Sequence, residues 1–112
     1  QDLRIKKEKK AFEIAKQYNK IRDYKSAIIV LNSFISDYPG TPFREDAIYF
    51  LFDSSYKLAV NSIPSKRLER LNDAKKLYSE LINDYPETLY LEEAQKKINE
   101  IDKEITIFAG TN

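Results

Sequence analysis

The triplet Asp-Tyr-Pro is written twice in this chain, at residues 37–39 and 84–86, and the 47-residue offset brings the sequence into register with itself. At that offset Ala27, Ile35, Asp37, Tyr38, Pro39, Thr41, Glu45 and Ala47 meet Ala74, Ile82, Asp84, Tyr85, Pro86, Thr88, Glu92 and Ala94. Chance would supply about one or two such matches, so the chain contains a repeat, which constrains it to stacked supersecondary units. A charged fraction of 33% with only two glycines and four prolines is the profile of helices with solvated faces.

Periodicity places five helices. Ala11, Ile14, Ala15, Tyr18 and Ile21 form one apolar stripe of a first helix over residues 3–21. After a break at Arg22-Asp23, Ala27, Ile28, Leu31, Phe34 and Ile35 line a second helix over 24–37. Pro39 ends it, because proline cannot continue a helix and pushes the preceding residue out of the α region. Thr41 as N-cap and Pro42 at N1 then open a third helix over 42–60, with Glu45 and Asp46 at its positive end. This is the most apolar helix of the chain and needs neighbours on more than one side. Residues 61–65 break it, and Ser65 is expected to cap a fourth helix over 66–84. Thr88 is expected to cap a fifth over 89–105, with the tail from Thr106 frayed unless Ile107 and Phe108 dock. Tyr49 and Phe50 align with Lys96 and Lys97, so the fifth helix reads as the polar cap that ends a repeat array.

Composition excludes more than it assigns. Without cysteine there is no disulfide, thiolate zinc site or cysteine nucleophile within these residues, and without histidine the commonest general base and metal ligand are missing. The carboxylate pairs Glu45/Asp46 and Glu92/Glu93 recur at one repeat position in the first turn of a helix, where the helix dipole accounts for them. Neither catalysis nor a cofactor is expected. The formal charge of +1 gives no global argument for nucleic acid. Residues 1–25 nevertheless carry nine Lys/Arg against four Asp/Glu, which makes that end locally basic. The sequence contains no run of about 18 apolar residues of the kind that crosses a membrane. Because the sequence opens on Gln, it is expected to be a processed or truncated product whose targeting segment or lipid anchor lies upstream.

Within residues 8–41, Ala15, Tyr18, Ala27, Leu31, Phe34 and Pro39 stand at relative positions 8, 11, 20, 24, 27 and 32. That pattern resembles the tetratricopeptide repeat, a helix pair of about 34 residues. The resemblance implies an all-α, right-handed superhelical solenoid fragment of antiparallel hairpins. One helical-repeat domain is expected over 1–112: unit one at 8–41, unit two at 42–88 with an insert near 61–70, and a capping helix at 89–105. The segment YKSAIIVLNSFISDYPGTPFREDAIYFLFDSSYKLAVNS, the polar KRLERL element and the second DYP are together similar to the C-terminal part of the BamD-like outer-membrane assembly lipoproteins. That resemblance spans about residues 11–105, although the lipid-attachment cysteine and the N-terminal repeats are absent. It implies a lipid-anchored scaffold on the periplasmic face of the outer membrane, binding the periplasmic domains of the barrel-forming partner and unfolded barrel substrates. Another peptide-binding adaptor of the envelope or cytoplasm is the alternative.

Binding in this repeat class uses the concave wall lined by the first helix of each unit. Alignment names Phe12, Lys16, Asn19 and Lys20 from the first helix, with Tyr49, Asp53, Tyr56 and Lys57 from the third. A cationic, amide-bearing wall with aromatics suits an extended or acidic peptide, although ordinary solvated residues would look the same. The insert adds Lys66, Arg67 and Arg70, which would either project as a basic tip toward an acidic partner or lipid headgroups, or only solubilise a lengthened helix. Most other aromatics, at helical spacing, belong to the core.

Overall fold

The structure, a computed structural model, describes residues 2–110 and contains five helices and no strand among them. They are α1 (Asp2–Lys20), α2 (Tyr24–Asp37), α3 (Arg44–Val60), α4 (Pro64–Asp84) and α5 (Leu91–Ala109). Successive helices pack as hairpins, α1 and α5 also touch α3, and the backbones of α2 and α4 stay apart. The first helices of the units thus form one layer and the second helices an outer, spread layer, as in a tetratricopeptide-like solenoid fragment. The stack measures 53 × 28 × 19 Å.

Residue chemistry explains each boundary. α1 ends with Arg22 in the left-handed region (φ 66°), where the Arg22 amide donates to the Asn19 carbonyl and the Asp23 amide to that of Tyr18. This is the Schellman closure, filled by an arginine in place of the usual glycine. Asp23 then caps α2, its carboxylate accepting from the Ser26 amide at 3.2 Å. After each Asp-Tyr-Pro a threonine turns the chain: the Thr41 hydroxyl accepts from the Phe43 amide and that of Thr88 from the Tyr90 amide, both at 3.2 Å.

Two buried clusters share α3. In one, Phe12, Ala15, Ala27, Leu31, Phe34, Ala47 and Leu51 join α1, α2 and α3. In the other, Ile48, Phe52, Leu71, Ala74, Leu81, Ala94, Ile98 and Ile101 join α3, α4 and α5. The alanines sit where helix axes cross, and their small side chains let backbones approach.

Several boundaries and faces differ from expectation. The core stripe of α1 runs through Phe12 and Ala15, leaving Ile14 and Ile21 at 51% and 61% exposure. The Thr41-Pro42-Phe43 turn delays α3 to Arg44, because the threonine hydroxyl and carbonyl are committed to closing that turn. α4 begins at Pro64 itself, with Ile63 at the N-cap and no side-chain cap from Ser65, since proline at N1 needs no hydrogen-bond partner. α5 starts at Leu91, and the tail expected to fray stays helical through Ala109 because Phe108 packs on the second cluster; Ile107 remains exposed. Residues 111–112 of that tail lie outside the described residues.

Candidate functional site

The first helices of the units are joined by a row of polar side chains. Asn19 of α1 donates its amide to Asp53 Oδ2 at 3.0 Å and to Ser54 Oγ at 2.8 Å on α3. Lys57 pairs with Asp53 Oδ2 at 2.8 Å, and Lys97 of α5 reaches Asp53 Oδ1 at 2.5 Å. Lys97 also donates to the Tyr49 hydroxyl and lies 4.9 Å from that ring's centre.

Asp53 is only 2% exposed. Burial by itself pushes its carboxyl up, but hydrogen bonds from Lys57, Lys97 and Asn19 and the Lys97 charge outweigh that and hold it below the usual carboxylate value. Burial likewise works against the Lys97 ammonium, yet Asp53 and the Tyr49 hydroxyl raise it. The Tyr49 phenol is pushed up by burial against the lowering influence of Lys97, and so stays a neutral acceptor. A fixed anion between two cations, sealed by an amide, clasps three helices.

The wall expected from the sequence is therefore divided. Phe12, Asn19, Tyr49 and Asp53 are buried, Phe12 stacking at 5.9 Å on Phe43 and Tyr49 at 4.1 Å on Tyr90. Lys16, Tyr56 and Lys57 are half-buried and Lys20 is exposed. Lys16 sits 5.5 Å from the rings of both Phe12 and Phe50 and pairs with Glu13 at 3.6 Å. The open part of the wall is thus Lys16, Lys20, Tyr56 and Lys57, resting on a buried polar layer.

The insert lengthens α4. Arg67 donates to the Ser62 carbonyl at 2.8 and 3.2 Å, pairs with Glu104 at 3.5 Å and covers the Phe108 ring at 4.9 Å. Arg70 donates to Ser62 Oγ at 2.7 Å. Both arginines close the turn between α3 and α4, Arg67 also tethers α5, and Lys66 is exposed.

Sequence reasoning missed Lys97, assigned to a polar outer face, and missed the work of the acidic pair on α3. Glu45 accepts from Thr88 Oγ1 at 2.6 Å and from the Leu89 amide at 3.1 Å, and Asp46 accepts from the Tyr90 hydroxyl. Arg44 pairs with Asp84 at 2.9 Å and donates to the Tyr85 hydroxyl at 3.2 Å. The second Asp-Tyr-Pro loop is thereby fastened to the start of α3. The signal for Asn19 and Asp53 was present, since 34 residues separate them, one period of the repeat.

Among known protein families, residues 5–107 match YfiO, described as outer membrane lipoprotein. The chain belongs to this family. The match covers all but the ends of the helical stack, and it is the BamD-like family that the repeat and its insert resemble. Among curated proteins, none matches the chain. Membership gives a tetratricopeptide-type scaffold lipoprotein of the outer membrane as the coarse reading. Among the described residues no helix is long and apolar enough to cross a membrane.

Proposed function

We propose that this chain is a non-enzymatic scaffold in the machinery that assembles β-barrel proteins into the outer membrane, working on its periplasmic face. It binds the periplasmic domains of the barrel-forming partner through the inner wall. The observation that carries this reading is the family match over nearly the whole helical stack. The wall supports it chemically: Lys16 and Lys20 of α1 and Tyr56 and Lys57 of α3 stand over the buried Asn19–Asp53–Lys97 row, and Lys20 enters no ion pair among the described residues, a surface suited to an acidic, partly extended protein segment.

Isothermal titration of the purified chain with those periplasmic domains tests it. Binding that weakens in Lys16→Glu/Lys20→Glu, and further at high salt, is the expected result. Binding that survives the loss of both the wall lysines and Lys66 overturns the proposed surface. No binding to the barrel partner, together with binding to unrelated peptides, would instead make the chain a general envelope or cytoplasmic adaptor.

A further inference from the structure

On the opposite side from the inner wall, α2 and α4 diverge and leave a groove of about 400 Å³ floored by α3. Its apolar bed is Ile28 from α2, Leu58 from α3 and Leu77 from α4. Two polar groups face this bed, the Asn32 amide and the Ser55 hydroxyl, and neither makes a side-chain hydrogen bond among the described residues. The α4 rim carries Arg70, Asp73, Lys76 and Glu80 in alternating sign, and the last three enter no ion pair among the described residues.

We propose that this groove is a second docking surface, which takes an extended segment of a partner protein bearing one apolar side chain flanked two residues away by an acid on one side and a base on the other. A helix satisfies its own backbone groups, whereas an extended segment brings free N–H and C=O groups that need partners. Asn32 and Ser55 supply one amide and one hydroxyl beside the apolar bed for that purpose. Arg70 and Glu80 lie about 15 Å apart along α4, at about 1.5 Å per residue. In an extended segment, same-face residues at i and i+4 lie about 13 Å apart, with i+2 between them. The acid therefore meets Arg70 at one end, the apolar residue enters over Ile28, Leu58 and Leu77, and the base meets Glu80 at the other, while Asp73 and Lys76 between them offset each other's charge. This docking does not depend on the barrel-assembly reading, because it uses a different face and a synthetic ligand tests it.

The test is a titration of the ¹⁵N-labelled chain with the capped peptide Glu-Thr-Leu-Thr-Lys to millimolar concentration. Amide shifts concentrated at Asn32, Ser55, Asp73 and Leu77 are expected. Binding should weaken by about tenfold when the peptide's leucine becomes serine, reflecting one buried apolar side chain. Asn32→Arg, an exposed site that leaves the core untouched, should abolish the shifts while the rest of the spectrum stays as in the parent. Absence of groove shifts overturns the proposal, as does equal response to the serine peptide, tighter binding of a helix-constrained version, or groove shifts that appear on raising protein concentration alone, which would make a second copy the occupant.

Discussion

Asp53 joins three helices through one buried carboxylate. Its carboxylate is almost wholly enclosed and sits against two ammonium groups from two helices and an amide from a third. Replacing Asp53 by Asn keeps the shape but leaves Lys57 and Lys97 facing each other without their anion. The full cost of orphaning a buried charge is about 3–5 kcal/mol. Because the Lys97 and Lys57 side chains keep 21% and 38% exposure, the expected loss is about 1–3 kcal/mol, read as a lower urea midpoint. The pH dependence follows from the lowered carboxyl. A group whose folded value lies below its unfolded value stabilises the fold above the unfolded value, about 3.9 for Asp, and loses that contribution as pH falls through the folded one. The stability gap between the parent chain and Asp53→Asn should therefore be full at neutral pH and close below about pH 3.9. A gap that stays constant down to acid unfolding would show that the Asp53 charge does not stabilise the fold.

Among the elements, the joints were built with different care. The α2 entry is capped by Asp23, but the α1 exit uses Arg22 in a conformation that costs a residue with a Cβ about 1–2 kcal/mol. Glycine removes that strain while adding unfolded-chain entropy, so Arg22→Gly should stabilise the chain by about 0.5–1 kcal/mol in denaturant titration. A destabilisation would mean that the arginine side chain makes up for its backbone. At the crossing of α3 and α4, Ala74 is wholly buried, and Ala74→Tyr should cost about 1–3 kcal/mol by overpacking. An unchanged midpoint would show that the crossing can open without penalty. These elements were legible in the sequence because their determinants are local: Pro39 and Pro86 end helices, and small residues recur at helical spacing. The rotation of each helix was less legible. Both Phe12 and Ile14 fit an apolar stripe, and only the packing of Phe43 and Phe34 around Phe12 selects one of them. The inner row was hidden for a related reason. Lys97 looked like surface because nothing within α5 pairs with it, and its partners, Asp53 and Tyr49, lie 44 and 48 residues earlier in the chain.

At the scale of the whole molecule, α3 is the only helix among the described residues that touches all four others, and both core clusters pass through it. Free energy of local opening should therefore rise from the ends of the stack toward its middle. In native-state hydrogen exchange, the amides of residues 47–55 are expected to exchange only by global unfolding. Those of residues 3–7 should open locally, since Leu3 is 82% exposed and no buried apolar residue of α1 precedes Phe12. The clasp at Asp53 sharpens this expectation. If it couples the outer units through α3, Asp53→Asn should lower protection in both α1 and α5, although the substitution lies in neither. Loss confined to α3 would mean that the units are bound by apolar packing alone, and the Asn19–Asp53–Lys97 row would then set the charge of the inner wall without carrying stability along the stack.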